Sequence, residues 1–377
     1  FPYTTLFRST FRDSSLETIT AVIYCGGGIL NINNTSFGDL NLSESSTSGR
    51  GGAISAVSSV VHIENSVFNR NNAGSYGGAI HLSGSALTVI NSTFTNNHAG
   101  FRGGAIYGEG GSTLYADNCT FINNSATGYS SSYGGAVCVE SGQVNISHSI
   151  FMNNTGYGKG GAIYVARNAT FTYNIFVNNS VSGGVGDDIY FNWFNETYMD
   201  DFVVADYNYW GTNEGPTGNK IGFNIDQARF DRERWVVLDV SINSSEVILG
   251  PDYEIIASLT HYKYGDETYV LEDVMPDYEL CLSALIGQVE QKIIISNGTG
   301  RAIYHPIATG NESISFAPGE DELNFTVGFG SDYLLSPELQ SLTIDYGESG
   351  IITVSILDKY RSLSEELNGK YVIVSYE

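Results

Sequence analysis

A Gly-Gly-Ala-Ile/Val tetrad recurs along this 377-residue chain and constrains its fold more than any other feature. The copies begin at Gly51, Gly77, Gly103, Gly134 and Gly160, so successive spacings are 26, 26, 31 and 26 residues. A phenylalanine follows each tetrad, and an asparagine lies three positions later; the pairs are Phe68/Asn71, Phe94/Asn97, Phe121/Asn124, Phe151/Asn154 and Phe176/Asn179. A period of about 20 to 50 residues indicates a stacked repeat protein.

Each repeat contains short stretches in which apolar and mixed residues alternate, as expected of strands with one buried face. In the second repeat, for example, Ile80 and Leu82 flank His81. A second apolar pair, Leu87 and Val89, precedes the phenylalanine of that repeat. Three short strands per repeat, each parallel to its counterpart in the next, predict a parallel β-helix. We expect it to be right-handed, as parallel crossovers generally are.

Degenerate copies extend the repeat in both directions. Thr20 to Ile23 with Phe37 forms a glycine-free copy upstream, and Gly186 to Ile189 with Phe202 forms a copy downstream. The prediction is therefore an all-β chain that starts with about seven coils. Because both ends of a stack need caps, Trp210 and its neighbouring tyrosines are expected to cover the open core.

Two polar features fit this stacking. Asn34, Asn65, Asn91 and Asn118 each lie three positions before a phenylalanine and are predicted to point inward. Identical amides stacked coil upon coil would then satisfy one another's hydrogen bonds. The paired glycines of each tetrad are predicted to occupy a bend that needs positive φ or close approach between coils.

The chain is strongly acidic, with a net charge of −24, of which −17 lies from Asp231 onward. This balance argues against nucleic acid and anionic lipid as partners, since both require basic patches. No apolar run reaches the ~18–20 residues of a membrane span, so no span is expected in this chain. Acidity that only aids solubility is an equally open reading.

The cysteines do not show metal-binding or redox spacing. Cys25, Cys119, Cys138 and Cys281 form no Cys-x-x-Cys motif, and Cys119 and Cys138 fall in different columns of the repeat. We therefore expect free or buried thiols. Asn-x-Ser/Thr sequons are frequent, which fits a secreted protein without establishing one.

The repeat ends before Trp235, where alternating strands separated by turn signals begin. Predicted strands are 236–242, 253–259, 279–285, 292–295, 313–316, 323–327 and 342–344. Such a series predicts an antiparallel β-sandwich of the immunoglobulin-like (Ig-like) type. The predicted domains are a β-helix over 10–218, a linker over 219–234, an Ig-like β-sandwich over 235–346 and a second, truncated Ig-like module over 347–377. Residues 1–9 look like a translated sequencing adapter, so they are treated as non-native and the chain as a metagenomic fragment.

These motifs resemble those of known surface proteins. The Gly-Gly-Ala-Ile/Val and Phe-x-x-Asn pair resembles the repeat of chlamydial polymorphic outer membrane proteins. The whole arrangement is more similar to the adhesin-like surface proteins of methanogenic archaea. In that family the β-helix ends in an Asn-Tyr/Trp-Trp-Gly-x-Asn-x-Gly-Pro motif, matched by Asn208 to Pro216. A Trp-Val-Val-Leu segment, matched by Trp235 to Leu238, then opens bacterial-type Ig-like modules.

The resemblance covers nearly all of residues 20–345. It implies a non-enzymatic, extracellular adhesin-like protein at the cell surface, with a host or microbial cell-surface glycan or protein as partner. The glycine-free first coil and the Gly-Asp-Asp-Ile tetrad at Gly186 depart from the family pattern.

The alternative is a polysaccharide-degrading enzyme, because pectate lyases and polygalacturonases are also parallel β-helices. Their chemistry needs clustered carboxylates, either to hold Ca²⁺ or to act as a spaced pair. The adjacent carboxylates Asp187 and Asp188, together with Asp200, Asp201 and Asp206, are a candidate Ca²⁺ site. We favour solvated loop carboxylates and expect no catalytic residue, metal or cofactor.

One series of side chains is a candidate binding site. The residues that immediately precede the glycine pairs, called the surface column from here on, are Arg50, Tyr76, Arg102, Tyr133 and Lys159. Stacked one coil apart, they are expected to interleave cations and rings through cation–π contacts. Two readings stay open: the column presents rings and donors to a glycan or protein, or bulky polar residues merely suit this turn.

Overall fold

The computed structural model describes residues 3–12, 21–42, 49–128, 130–192, 201–224, 229–319, 321–328, 334–337 and 354–357. Across these ranges the backbone forms strands and turns, without an α-helix and hence without a helix able to cross a membrane. One compact unit comprises residues 1–238, 259–278 and 296–298. The other comprises 239–258 and 279–295 with the described residues from 299 onward.

The first unit contains four parallel sheets. The tetrad sheet consists of Ile23–Gly26, Ile54–Val57, Ile80–Ser83, Ile106–Glu109, Val137–Val139, Ile163–Val165, Ile189–Phe191 and Ile221–Phe223. The middle sheet consists of Tyr3–Phe7, Ile29–Asn33, Val60–Glu64, Ala86–Ile90, Thr113–Asp117, Val144–Ser147, Ala169–Thr172, Val203–Val204 and Phe230–Asp231. The phenylalanine sheet consists of Thr10–Arg12, Ser36–Gly38, Val67–Asn69, Thr93–Thr95, Thr120–Ile122, Ile150–Met152 and Ile175–Val177. The short sheet consists of Asn41–Leu42, Asn72–Ala73, His98–Ala99, Ser125–Ala126, Thr155–Gly156 and Ser180–Val181.

Equivalent residues of successive coils pair directly with one another. Ile54, Ile80 and Ile106 are consecutive register partners and are completely buried. The parallel β-helix predicted from the repeat is thereby confirmed. The structure adds a fourth strand of two residues to six of the described coils, and these strands are too short for an alternation pattern to reveal.

The two glycines of each tetrad have different tasks. Gly51 has a φ of 68°, a left-handed conformation that side chains rarely adopt. The neighbouring coil lies directly against Gly52, so a Cβ at this position would be only 2.2 Å from the carbonyl oxygen of Gly78. Both predicted reasons for the glycine pair are therefore present, one at each position.

The phenylalanines form one continuous stack inside the helix. Phe37, Phe68 and Phe94 follow one another with ring centroids 4.8 Å apart and nearly parallel planes. Phe11 precedes this run, and Trp210 extends it by stacking on Phe176 at 4.9 Å. Phe202, which was predicted to be the equivalent ring of the last copy, is 41% exposed and lies outside the stack. Trp210 thus occupies the predicted place of Phe202 and covers the core as expected.

The predicted inward asparagines are wrong. Asn34, Asn65, Asn91 and Asn118 are exposed, and all have φ between 48° and 51°. Each lies at a bend where two consecutive residues point outward, so the alternation shifts by one position there. Glu64 and Asn65 both face solvent, and Ser66 is the next buried residue.

The buried amide ladder is formed by the asparagines that follow the phenylalanines. Its members are Asn71, Asn97, Asn124, Asn154 and Asn179. Asn124 is fully buried, and its Oδ1 accepts hydrogen bonds from the backbone N (3.0 Å) and Nδ2 (2.9 Å) of Asn97. Its own Nδ2 donates to Asn154 Oδ1 and to the Phe94 carbonyl. Every interior rung therefore depends on the coil before and the coil after it.

The beginning of the chain adds strands to the same stack. Tyr3–Phe7, within the segment that looked like an adapter, pairs in parallel with Ile29–Asn33. Ile23 pairs with Ile54, so the glycine-free copy occupies a coil, while Thr20 lies outside the described residues. The predicted domain boundaries, including 219–234 as a linker, stay predictions.

The second region consists of two further sheets. One has the order Arg234–Ile242, Tyr253–Tyr264, Thr299–His305 and Gln288–Val289, with Glu267–Val270 paired to Tyr253–Tyr264. The other has the order Val247–Ile248, Asp321–Gly328, Gly310–Ala317, Tyr278–Ala284 and Lys292–Ile295. Most neighbouring pairs are antiparallel, which confirms the fold class, although the strand Thr299–His305 was missed.

Little of the predicted second module lies within the described residues. Leu334–Pro337 pairs antiparallel with Val354–Leu357, and 342–344 and most of 347–377 lie outside.

In the second unit, buried Glu312 organises a turn, since its carboxylate accepts from the backbone N of Leu285 and Gly287 and from the Tyr304 hydroxyl.

We expect Asn124→Ala to destabilise the β-helix by at least about 3 kcal/mol, because it leaves buried donors and acceptors on two adjacent coils without partners. Thermal and urea unfolding followed by circular dichroism will measure the change. Asn123→Gly is the matched control, since Asn123 is exposed and has a φ of 56° that glycine readily adopts. Equal effects of the two substitutions would contradict the ladder's role.

Candidate functional site

The five residues of the surface column lie in one row. Arg50 and Tyr76 are joined by a parallel bridge, and the same relation continues through Arg102 and Tyr133 to Lys159. This row follows from the register of the tetrads, because each residue precedes a positive-φ glycine at the same bend. The structure thus brings together all five candidate residues.

Cations and rings alternate along the row as the spacing predicts. The Arg50 guanidinium lies 5.4 Å from the Tyr76 ring centroid, and that of Arg102 lies 5.1 Å from the Tyr133 centroid. Lys159 Nζ lies 5.7 Å from the Tyr133 centroid on the next coil. These distances are within the range of cation–π attraction.

The column covers a second buried cluster on the outer face of the tetrad sheet. This outer cluster consists of Tyr107, Cys138, Tyr164, Ala166 and Tyr190. Tyr76 stacks on Tyr107 at 4.7 Å, and Tyr133 stacks on Tyr164 at 5.0 Å. Burial raises the pKa of the Cys138 thiol to about 12, so this cysteine is neutral and inert at physiological pH.

Two glutamates that the sequence analysis did not single out complete the column. Glu109 accepts from Arg50 Nη1 at 2.9 Å and lies 3.3 Å from His81 Nε2. The hydrogen bond from His81 is the main cause that lowers the pKa of Glu109. Glu140 forms an ion pair with Arg102 and accepts from the Tyr107 hydroxyl at 2.8 Å. Glu109 ends the strand Ile106–Glu109 and Glu140 directly follows the strand Val137–Val139, so each lies three positions after the last residue of its tetrad, which is the signal that identifies them.

The column cations are therefore already engaged within the fold. Arg50 is 46% exposed, whereas Arg102 is only 21% exposed. Because the tyrosines shield the outer cluster, their replacement will affect folding as well as any binding. Stability and binding must be measured separately for each column variant.

The structure does not bring the candidate Ca²⁺ ligands together into one site. Asp187 accepts from the Val181 backbone N, Asp201 pairs with Arg167 at 3.2 Å, and Asp206 pairs with Arg234 at 2.5 Å. Asp200 lies outside the described residues. Within the described ranges, no three His, Cys, Asp or Glu side chains form a group able to hold a metal.

The expectation of solvated carboxylates is wrong for Asp206, which is 3% exposed, and for Asp188, which is completely buried at the end of the amide ladder. The environment of Asp188 explains its role. Its Oδ1 accepts from Asn179 Nδ2 at 2.8 Å, and its Oδ2 lies 3.8 Å from Lys220 Nζ. Burial raises the pKa of Asp188 to about 6, against the opposing charge of Lys220. This carboxylate terminates the ladder, because Asn213, which lies three positions after Trp210, hydrogen-bonds the backbone of Leu238 instead of Asn179.

The comparison with known families supports the fold. The family described as "Right handed beta helix region" matches residues 23–196. That stretch contains the tetrad-sheet strands from Ile23–Gly26 to Ile189–Phe191, and the match gives the handedness of the stack. No curated protein matches the chain. The match fits adhesins and pectate lyase-like enzymes equally and does not choose between them.

We expect Tyr133→Ser to destabilise the β-helix by about 2–4 kcal/mol, since it removes the ring that covers Tyr164 and separates Arg102 from Lys159. Tyr115→Ser is the control, because Tyr115 is 43% exposed on the outer face of the middle sheet. Urea unfolding of the two variants will measure the difference. A Tyr133→Ser protein as stable as the control would show that the column is not a structural cover.

We expect Asp188→Asn to stabilise the protein at pH 7 and to have little effect at pH 4. The folded state binds the Asp188 proton more tightly than the unfolded state does. Protonation of Asp188 therefore stabilises the fold fully below a pH of about 4, and this stabilisation is lost as the pH rises through about 6. The shift corresponds to about 3 kcal/mol. The melting temperature of variant and wild type between pH 4 and 8 will test this, with Asp266→Asn as an exposed control. A difference that does not depend on pH would contradict the assignment.

Proposed function

We propose that this chain is a non-enzymatic, extracellular adhesin-like protein, similar to the surface proteins of methanogenic archaea. In this proposal the β-helix presents a binding surface for a cell-surface glycan or protein, and the Ig-like region that follows it in sequence acts as a spacer. The motifs from Asn208 to Leu238 support the relation to that family.

The observation that carries the proposal is the engagement of the candidate catalytic carboxylates. Asp188 is buried between an amide and Lys220, and Asp206 is buried against Arg234. A hydrolase needs two carboxyl groups that reach one glycosidic bond, and a lyase needs carboxylates that hold Ca²⁺ beside a base. These aspartates instead hold coils of the stack together.

The regular stack also suits presentation of a surface. Outward side chains recur about every 4.8 Å along each parallel sheet, so they form rows that extend over several coils. The surface column is one such row, and Arg50 is more exposed than its other two cations, Arg102 and Lys159. The acidic net charge of −24 makes neutral or basic partners more suitable than anionic ones.

We expect the purified chain to bind cell-surface glycans or whole cells and to release no product from pectin or polygalacturonate, with or without Ca²⁺. A glycan array combined with a lyase and hydrolase assay will separate the two functions. Arg50→Ser tests the surface column without opening the outer cluster, and we expect it to weaken binding. Arg70→Ser, which removes an exposed arginine at another bend, is the control and should weaken binding less. Product release from pectin would establish the rival enzymatic function and overturn this proposal.

A further inference from the structure

Within the first unit, a series of aromatic rings continues from the outside of the β-helix onto a β-hairpin formed by residues 261–270. His148, Tyr173 and Tyr207 stack along one bend with centroids 5.4 and 5.5 Å apart. Tyr207 meets Tyr262 edge to face at 5.0 Å, and Tyr262 stacks on Tyr269 at 5.4 Å. Tyr262 and Tyr269 are direct cross-strand partners, so the hairpin holds the outer end of this series of rings.

Two tyrosines on the same face of the hairpin, Tyr269 at the end of the series and Tyr264, each have one packing partner and an exposed surface. Tyr269 packs against Tyr262 and is 39% exposed. Tyr264 carries the Arg234 guanidinium at 4.9 Å and is 43% exposed. We call Tyr264 and Tyr269 the hairpin tyrosines. Their packing fixes the orientation of each ring and leaves accessible ring surface for a ligand, which lowers the entropic cost of binding.

The rings of the surface column are covered on both sides. Tyr76 lies between Arg50 and Tyr107, and Tyr133 contacts Arg102 and Tyr164. A ring in such a row has no face left for stacking with a ligand. The hairpin tyrosines are therefore better placed than the column to contact an incoming molecule.

Carboxylates surround the hairpin tyrosines. Glu267, directly opposite Tyr264 on the hairpin, accepts from the Tyr269 hydroxyl, and Asp266 at the turn is exposed. Ring faces suit the C–H face of a sugar, and carboxylate oxygens accept hydrogen bonds from its hydroxyls. The same carboxylates repel uronic acids and other anionic sugars.

We propose that the hairpin tyrosines form a binding subsite for neutral oligosaccharides, with Glu267 as a hydrogen-bond acceptor. This assignment rests on the proposed adhesin-like function and names the ligand class for it. A neutral sugar ring stacks on Tyr264 or Tyr269, and its hydroxyls reach the neighbouring carboxylates. The paired strands keep the two rings on one face of the hairpin.

Isothermal titration with cellohexaose, mannohexaose and hexagalacturonate will test the subsite. We expect wild-type protein to bind at least one neutral hexasaccharide and not hexagalacturonate. Tyr264→Ala and Tyr269→Ala should each weaken binding about tenfold, the size of a typical aromatic contact at a binding centre. Tyr269→Phe, which keeps the ring, and Tyr115→Ala, which removes an equally exposed ring elsewhere, should bind as wild type. Melting temperatures will verify that each variant is folded.

Cell-binding assays with the same proteins keep this proposal separate from the proposed function. If wild type binds cells and the Tyr264→Ala/Tyr269→Ala double variant binds equally well, the subsite is wrong and the adhesin-like function stands. If protease treatment of the cells abolishes cell binding and the protein has no affinity for the neutral hexasaccharides, the partner is a protein. That result also overturns the subsite. If wild type binds neither sugars nor cells, both proposals fall.

Discussion

In-register stacking of equivalent side chains is the constraint on which the β-helix depends. Parallel strands of adjacent coils place each residue directly beside its copy, as Ile54, Ile80 and Ile106 are. Any buried group must therefore pack against, or hydrogen-bond with, a group like itself. Isoleucine and phenylalanine meet this demand through apolar contact. Asparagine also meets it, because an amide carries both donors and an acceptor. An aspartate is suitable only where the row ends, and Asp188 occupies such a place.

The sequence was sufficient to predict the stack because this constraint acts on every coil. The tetrads, the phenylalanines and the need for glycine recur with the period, and they predict the positions of the five complete repeats correctly. In the degenerate last copy the prediction is wrong, because Trp210 and not Phe202 stacks on Phe176. The asparagines were assigned to the wrong rows because strand alternation was continued through the bends. A left-handed residue such as Asn65 places two outward residues in succession. Parity counted across such a bend is reversed, so four exposed asparagines were assigned to the interior.

The candidate site could be predicted only in part, for a related reason. The row from Arg50 to Lys159 follows from register alone and therefore appears in the sequence. The outer cluster beneath this row does not appear in the sequence, since outward-facing side chains of a β-helix strand are normally expected to meet solvent. Here the side chains of the bend fold back over Tyr107 and Tyr164 and make that face a second core. Glu109 and Glu140 belong to the same arrangement, but no acidic residue recurs at their position in the other tetrad repeats.

Stacking also limits where such a protein can use aromatic rings for binding. Rows about 4.8 Å apart bring ring faces into mutual contact, because this spacing is close to that of stacked aromatics. Neighbouring rings or interleaved cations thereby cover the faces of rings inside a row, as at Tyr133. A ring face becomes accessible where a row of rings ends, where a strand leaves the stack, or where the adjacent coils carry no ring at that position, as at Tyr115. Tyr269 is in that situation, since the hairpin continues the aromatic chain beyond the coils and ends it at a half-exposed ring.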